Sequence, residues 1–306
     1  MFKRIFASHN VPTSKATNDT FMLYKRISEQ YVNQDILNYV RILVPKEILK
    51  KTKTEDKEEP LKPVLQWFKK DFMRWTPKDP KCEECNLPMS SQCIRGTSWK
   101  LRSTEKYTCN NCGATLMFPR YGDIPTIAET RSGRCSEWSM LFGALLNSLS
   151  IRTRVVHDYL DHCWNESLIN ERWTHVDSTL DYPISFDHPH YYEQNWNKKY
   201  SYVLAFSPNG LEDVTQSYTQ QWDIVQLRRR KEYKKSTEAE ESSQISILVF
   251  RDVYIVTCAK KKISLKPVYV LSLKNICTFI YKQLSCSKNL RSHYFPSDTF
   301  FLRTTV

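Results

Sequence analysis

The chain has 306 residues, of which 41% are hydrophobic and 13% aromatic, which is enough for one large domain or two ordinary ones. Only six residues are glycine, so glycine-rich phosphate loops are not expected, and no stretch matches a nucleotide-binding fingerprint. The net charge of +12 is uneven, because residues 245–306 hold ten Lys or Arg and two acids, so the mildly basic body argues against nucleic-acid binding.

No apolar run approaches the ~18 residues of a membrane span, and the N-terminus lacks the apolar segment of a secretory signal. We therefore expect no membrane association and a reducing compartment, the cytoplasm with the nucleus as a second location. Residues Met1 to Ala16 are basic and free of acids, so a short transit peptide stays open as an alternative.

Two helical segments are expected before residue 76. From Asp19 to Lys51, apolar residues recur at helical spacing, with a break near Pro45, and a second stripe runs from Pro63 to Trp75. The second stripe is typical of a buried core. The first is wider than packing on one face requires, so it indicates either a docking helix for a partner or packing against the body of the protein.

Two cysteine pairs follow, Cys82 with Cys85 and Cys109 with Cys112, separated by 23 residues. Each pair can wrap a turn around one ion, and four thiolates make the closed tetrahedral shell of a structural zinc. Two disulfides or four unrelated thiols are the alternatives, and the expected reducing compartment disfavours the disulfides.

Cys135 carries the strongest catalytic signal. An apolar run with helical spacing begins just after it, which predicts that the thiol lies at a helix N-terminus. The unpaired N–H groups and positive dipole end there favour a thiolate, the reactive form of cysteine. A small buried core residue is the alternative for a single Cys on an apolar helix.

A predicted hairpin supplies possible partners for that thiol. One strand, Val155 to Leu168, carries His162, and the other, Arg172 to Thr179, carries Asp177. The midpoint between positions 162 and 177 falls in the connecting turn, so the two side chains are expected within cross-strand reach. Cys, His and Asp in this arrangement make a nucleophile, a general base and a group that orients the base.

Beyond the hairpin, residues 181–197 are expected to form a loop, Tyr200 to Phe206 a strand, and residues 227–243 an exposed helix that ends in a linker. Three regions are therefore expected: an N-terminal helical segment (1–62), a core (63–230) that includes the cysteine module (82–112), and a linker with a basic tail of uncertain structure (231–306).

These residues resemble the cytoplasmic peptide:N-glycanases of the transglutaminase-like superfamily from about Val64 to Arg230. The resemblance rests on a combination of short motifs: Trp67-Phe68-Lys69 with Phe72 and Trp75, both cysteine pairs, Gly133-Arg134-Cys135 with Glu137-Trp138, Asp161-His162 with Trp164 and Glu166, His175-Val176-Asp177-Ser178, Asn195 to Lys199, Ser201-Tyr202 and Ala205-Phe206.

The resemblance implies an α+β, transglutaminase-like (papain-like) fold with N-terminal helices and a zinc-binding four-Cys module. It implies Cys135, His162 and Asp177 as the catalytic triad and the four paired cysteines as zinc ligands. The expected reaction cleaves the Asn side-chain amide of denatured N-glycosylated proteins exported from the endoplasmic reticulum. The expected partner of the first helix is a ubiquitin-receptor shuttle protein of the proteasome pathway.

Five further residues are expected near the substrate. Trp164 and Glu166 share a strand face with His162 and are expected to contact the inner sugars, with core packing as the alternative for Trp164. Trp75 is a weaker candidate for stabilising the oxyanion, and Glu137 and Trp138 follow the nucleophile.

The chain also departs from the family pattern, at Ser136, Met140, Thr179 and Leu180. A catalytically weak scaffold or binding protein on the same fold is therefore an alternative, as is a cysteine protease or a cross-linking transglutaminase. Retention of all three triad residues favours an enzyme over a scaffold.

Overall fold

The computed structural model describes residues 15–51, 58–241, 246–250 and 253–257. The chain divides into two units, Met1–Arg229 and Arg230–Val306. The described helices are α1 (Lys15–Gln30), α2 (Gln34–Ile42), α3 (Lys46–Lys51), α4 (Glu58–Trp67), α5 (Ile124–Thr130), α6 (Cys135–Ser148), α7 (Tyr191–Trp196) and α8 (Trp222–Glu241), with a π-helical turn at Phe68–Phe72 and a 3₁₀ turn at Thr215–Tyr218.

The strands described in the first unit are β1 (Arg74–Trp75), β2 (Met89–Arg95), β3 (Leu101–Cys109), β4 (Thr115–Tyr121), β5 (Ser132–Gly133), β6 (Thr153–His157), β7 (Cys163–Ile169), β8 (Arg172–Val176), β9 (Leu204–Ser207) and β10 (Gly210–Asp213). Mixed helices and sheets of this kind confirm the predicted α+β class.

A five-stranded antiparallel sheet in the order β10-β9-β6-β7-β8 forms the centre of this unit. Successive strand residues point to opposite faces, so Val155 joins the main core while Val156 joins a smaller core on the other side. The buried helix α6 packs in the main core with the N-terminal helices. The sheet and this helix therefore fix the positions of the predicted catalytic residues.

The predicted hairpin is confirmed by β7 and β8, which pair up to Ile169 and Arg172 across a two-residue turn. Asn170 and Glu171 both have positive φ, the geometry that matches the twist of paired strands. The single strand predicted from Val155 to Leu168 is wrong, however, because it is two strands separated by residues 158–162. The Asp158 side chain accepts backbone N–H groups within this segment and turns the chain.

A three-stranded antiparallel sheet, β2-β3-β4, carries the cysteine module, and a short parallel pair, β1 with β5, connects residue Trp75 to Gly133. The helix predicted up to Trp75 therefore ends earlier: α4 stops at Trp67, and a π-helical turn precedes β1. This pairing places Trp75 beside the segment that enters α6.

The N-terminal helices belong to the same core as α6. Phe21, Tyr24 and Ile27 on α1 are buried there with Tyr31, which directly follows the helix, and Val40 on α2 joins them. The apolar stripe thus packs on the body of the protein, which was the alternative to a free docking helix. The predicted division at residue 62 stays a prediction.

One further segment differs from the prediction. Helix α7 lies inside the loop expected at residues 181–197, where Tyr192 is buried against the smaller core.

None of the helices in the described part of the chain is long and apolar enough to cross a membrane.

The second unit contains the end of α8 and an antiparallel hairpin of β11 (Ser246–Phe250) and β12 (Val253–Thr257). Residues 258–306 lie outside the described residues. The expectation of a basic tail of uncertain structure therefore stays a prediction.

Candidate active site

Cys135 is the first residue of α6, preceded by the extended N-cap residue Arg134, as the sequence predicts. Its side chain is only partly buried. At this position the backbone N–H of Cys135 has no partner within the helix, and the dipole of α6 favours negative charge. The site therefore has a partly accessible thiol beside a ready hydrogen-bond donor.

The entry to this helix requires Gly133. A Cβ atom there would lie 2.3 Å from Cβ of Glu137, far inside contact distance. The close approach lets the Glu137 carboxylate turn back and accept the backbone N–H of Arg134 at 3.0 Å. This bond satisfies one of the unpaired donors of the helix N-terminus and fixes the turn that presents Cys135.

His162 and Asp177 meet across the hairpin, with His162 Nε2 2.8 Å from Asp177 Oδ2. Both are buried, His162 just before β7 and Asp177 just after β8. Cys135 Sγ lies 3.7 Å from the carbonyl oxygen of Asp161, the residue before His162, and the His162 side chain lowers the pKa of the thiol. The structure thus brings the three predicted triad residues together.

In the triad, the interactions between the three side chains affect their pKa values more than burial does. Burial would raise the pKa of Asp177, but the charge and hydrogen bond of His162 hold it well below its usual value. Burial would lower the pKa of His162, but Asp177, with a further contribution from Cys135, raises it to about 10. A hydrogen bond with Cys163, together with His162, lowers the pKa of Cys135 well below that of a free thiol. At neutral pH the site is therefore a thiolate beside an imidazolium.

The departures from the family pattern fit this geometry. Thr179 donates both its backbone N–H and its hydroxyl to Asp177 Oδ1, at 2.8 and 2.7 Å, so it supports the orienting carboxylate. Ser136 accepts hydrogen bonds from Arg102 and Arg120, Met140 is buried in the core, and Leu180 packs against the smaller core. None of the four displaces a triad residue.

Glu137 and Trp138 are structural, and the prediction that they contact substrate is wrong. Glu137 is fully buried, with Oε1 2.7 Å from Arg102 Nη2 and 2.9 Å from Arg120 Nε. Trp138 is also buried and donates its ring N–H to the Gly133 carbonyl at 3.1 Å. Both side chains hold the N-terminal turn of α6 in place.

Trp164 and Glu166 also lie in the core, so the predicted contact with sugars is wrong. Trp164 has no exposed surface and packs between Tyr192 and Tyr218, with ring centroids 4.8 Å away on each side. Glu166 is paired with Arg154 at 2.6 Å and accepts the Tyr218 hydroxyl at 2.8 Å. They do share a face with His162, but α7 and the 3₁₀ turn cover that face.

Two exposed indoles flank the triad instead. Trp75 is 50% exposed and contacts Trp138, and Trp196 is 42% exposed with its ring centroid 5.0 Å from that of His162. Trp196 lies in the segment expected to form a loop, where the sequence alone indicates no role for it. Its place in the Asn195 to Lys199 motif was the available signal, but sequence spacing does not show that α7 folds back over the base.

A buried acid also organises the loop that carries the base. Asp158 Oδ1 accepts the backbone N–H groups of Leu160, Asp161 and His162 at 2.9 to 3.1 Å. Its other oxygen lies 2.9 Å from Lys198 Nζ, which also pairs with Asp161. No pattern in the sequence indicates this function of Asp158.

The four paired cysteines form one cluster, with all sulfur atoms within 4.8 Å of one another. Measured separations are 3.5 Å (Cys82 to Cys112), 3.4 Å (Cys85 to Cys109) and 3.8 Å (Cys85 to Cys112). These are close to the edges of about 3.8 Å in a tetrahedron with about 2.3 Å Zn–S bonds, and far longer than a disulfide.

Two similar turns build this cluster. Asn86, directly after Cys85, has φ of 56°, and Gly113, directly after Cys112, has φ of 73°. The backbone N–H groups of these two residues bond back to the carbonyls of Cys82 and Cys109 at 2.8 and 3.0 Å. Each pair therefore forms a compact turn that points both thiols to one side, which fits a metal ion.

Comparison with known proteins shows which family the chain resembles. Residues 94–178 match the model of the Transglutaminase-like superfamily, a stretch that includes all three triad residues. Together with the geometry around Cys135, this match shows that the stretch is similar to that superfamily.

Among curated proteins, part of the chain is similar to peptide:N-glycanases. It is 41% identical over 175 residues to the Saccharomyces cerevisiae protein named peptide-N(4)-(N-acetyl-beta-glucosaminyl)asparagine amidase, covering 54% of this chain and 47% of the yeast protein. Proteins of the same name are 31% identical in Caenorhabditis elegans and 35% in mouse, covering 68% and 60% of this chain and 36% and 29% of theirs. The chain thus spans less than half the length of each.

Among solved structures, Rad4-Rad23 bound to a 6-4 photoproduct UV lesion covers 72% of this chain and 52% of its own, with a TM-score of 0.45 and 14% identity. A likeness at this level supports no conclusion about function.

Proposed function

We propose that this chain is an amidase that removes N-linked glycans by cleaving the Asn side-chain amide. The observation that carries the proposal is the assembly of Cys135, His162 and Asp177, with His162 Nε2 2.8 Å from Asp177 Oδ2 and the thiol at a helix N-terminus. The named relatives that share this stretch are amidases of that specificity.

The reaction has two halves, formation of a thioester and its hydrolysis. Cys135 is the nucleophile in the first half and the leaving group in the second, and His162 acts first as an acid and then as a base. The Cys135 thiolate attacks the amide carbonyl, and its backbone N–H is placed to stabilise the oxyanion, with Trp75 as a second candidate. The His162 imidazolium then protonates the leaving nitrogen, releasing a glycosylamine that later loses ammonia. Water, deprotonated by His162, hydrolyses the thioester to Asp and restores the Cys135 thiolate beside the His162 imidazolium.

The proposed substrates are denatured N-glycosylated proteins, because a thiol beside a buried base can be reached only by an extended, accessible Asn-linked stem. The exposed indole of Trp196 lies beside His162, and that of Trp75 lies beside Trp138 near the start of α6, where aromatic rings can stack on sugar or peptide. The proposed setting is the cytoplasm, with the nucleus as a second location, in the degradation of proteins exported from the endoplasmic reticulum.

The test is glycan release from a heat-denatured high-mannose glycoprotein and from its native form. The wild-type chain should release intact glycans, mainly from the denatured protein, and leave Asp at the attachment site. Cys135→Ala should be inactive, whereas Cys93→Ser, which changes an exposed cysteine on β2, should match wild type. No release by a well-folded wild-type chain would contradict the proposal.

The ion held by Cys82, Cys85, Cys109 and Cys112 is proposed to be zinc. A set of four thiolates with tetrahedral spacing suits Zn²⁺ and leaves no open coordination position, so the ion would stabilise the module and take no part in the reaction. Metal analysis should give one zinc per chain, and none in a variant with Cys82 and Cys109 both changed to Ser. A preparation that is folded and active without metal would contradict this proposal.

A ubiquitin-receptor shuttle protein of the proteasome pathway is the proposed partner of the N-terminal helices. Since their apolar stripe is buried, the contact would use exposed residues such as Val32 and Ile42, which are 64% and 77% exposed. Changing both to Glu should abolish co-purification of the shuttle protein and spare glycan release. Unchanged co-purification would contradict this docking surface.

A further inference from the structure

Asp177 receives more hydrogen bonds than a triad requires. His162 and Tyr192 both donate to Oδ2, at 2.8 and 2.7 Å, while Thr179 donates twice to Oδ1. Tyr192 is fully buried on α7, so its hydroxyl has no water as an alternative partner. The reaction described above uses the His162 bond and gives Tyr192 no function.

The Tyr192 hydroxyl is itself held by His175, whose Nε2 lies 2.7 Å from it. His175 Nδ1 accepts the backbone N–H of His188 at 3.3 Å. Burial lowers the pKa of His175 to about 4, so its ring is neutral and has one proton. Because Nδ1 is an acceptor, that proton is on Nε2 and is donated to the Tyr192 oxygen. The single hydroxyl proton of Tyr192 must then point at Asp177.

We propose that Tyr192 and His175 are positioning residues, which form a hydrogen-bond chain from the His188 amide to Asp177 and lock the carboxylate in the orientation that holds His162 against Cys135. Each bond in this chain has one possible direction, and the last one ends on the buried carboxylate of Asp177. The proposal assumes the Cys–His–Asp site but does not depend on a glycan substrate.

Without the Tyr192 hydroxyl, Oδ2 loses a donor that opposes rotation of the carboxylate. His162 would then be held less firmly beside the thiol, and the ion pair that stabilises the thiolate would weaken. The groups that face Asp177 are His162, Tyr192, His175 and Thr179, and of these Tyr192→Phe changes only one. The phenyl ring keeps the packing against Trp164, His162 and Trp196.

The test is the pH dependence of Cys135 alkylation by iodoacetamide in the full chain. Tyr192→Phe should move the midpoint up by about one unit, which is about tenfold less thiolate at a given pH below the midpoint. Glycan release should show lower kcat at unchanged KM. Tyr218→Phe is the matched control: it also removes a buried hydroxyl that packs on Trp164 and donates to a carboxylate, Glu166, but it leaves Asp177 alone.

Substitutions of His175 test the same hydrogen-bond chain independently. His175→Phe should reproduce the shift, because the Tyr192 hydroxyl loses its directing donor, whereas His175→Gln keeps an N–H near that position and should stay close to wild type. The double variant with Tyr192→Phe should shift no further than either single variant.

Folded Tyr192→Phe with a midpoint at or below wild type, or an equal shift in Tyr218→Phe, would overturn the inference. If Tyr192→Phe does not fold, the comparison of His175→Phe with His175→Gln decides, and equal midpoints there would also overturn it. Because alkylation requires no glycan, an expected shift in a chain that releases none would contradict the proposed function alone.

Discussion

The triad hairpin and the cysteine module solve the same problem, holding several polar groups close together, in opposite ways. Along β7 nearly every residue is buried, and Asp177, His162 and their neighbours are held by other side chains and by packing. Along β2 nearly every residue is exposed, and the module buries few side chains of its own. The hairpin is thus organised by the core, whereas the module depends on its four thiols.

The two regions meet at an ionic network beneath the nucleophile. Glu105 on β3 is 3.0 Å from Arg120 on β4 and 2.7 Å from Arg134, the N-cap of α6, and Arg120 continues to Glu137 at 2.9 Å. A module with little core of its own is therefore fastened to the start of the catalytic helix. Damage to the module should reach Cys135 through these contacts, while damage to the triad should leave the module intact.

The largest effect is expected at the triad itself. Asp177→Asn should lower the rate of glycan release by on the order of 10⁴-fold, because an amide cannot stabilise the His162 imidazolium. Metal content and melting temperature of the module should stay close to wild type. Asp181→Asn, an exposed acid on the next loop that pairs with Lys69, is the control and should retain activity. Loss of metal in Asp177→Asn would contradict the expectation that damage to the triad leaves the cysteine module intact.

Loss of the metal should have the next largest effect, and mainly on stability. Cys109→Ser removes one of the four thiols from a lobe with little apolar burial, so the melting temperature should fall by several degrees or more and proteolysis within residues 82–112 should increase. Cys93→Ser on the same module should do neither. Unchanged melting and unchanged proteolysis in Cys109→Ser would show that packing alone holds the module.

A smaller, pH-dependent effect is expected at the junction. Burial would raise the pKa of Glu105, but hydrogen bonds from Arg134, Tyr107 and Arg120 lower it from the ordinary 4.5 to about 2. Its contribution to stability is therefore complete above the unfolded pKa and is lost as the pH falls from about 4.5 towards 2. In urea unfolding, Glu105→Gln should be less stable than wild type at neutral pH, and its stability should fall less steeply with acid. Parallel curves for the two proteins would contradict this contribution.

The sequence was sufficient to predict features that depend on residues close along the chain or on the regular spacing of a helix or strand. The helix at Cys135, the hairpin that joins His162 to Asp177, and the two cysteine pairs are local patterns, and the structure places each as predicted. Strand alternation also put Trp164 on the face of His162. Alternation cannot show what covers a face, however, so the burial of Trp164 under α7 was missed.

What could not be predicted depends on contacts between distant segments. Arg102 and Arg120 reach Glu137 from another sheet, Tyr192 reaches Asp177 from a segment expected to be a loop, and Tyr24 comes from the first helix to the main core. Each of these is an ordinary charged or aromatic residue in the sequence. Cys163 belongs to the same group, since nothing in its position indicates a function.

The smallest effect is expected from substitution of Cys163, which tests whether this buried thiol influences the pKa of Cys135. It is buried next to His162, burial raises the pKa of its thiol well above the ordinary value, and Ser139 Oγ lies 3.4 Å from its sulfur. The thiol therefore stays protonated and can donate to the Cys135 thiolate. Cys163→Val keeps the apolar volume but removes this donor, so the pKa of Cys135 should rise, by less than about one unit because a thiol is a weak donor. The midpoint of alkylation by iodoacetamide measures the change, and Cys163→Ser, which keeps a donor, should stay near wild type. An unchanged midpoint in Cys163→Val would mean that Cys163 contributes to the packing of the site without contributing to the charge of Cys135.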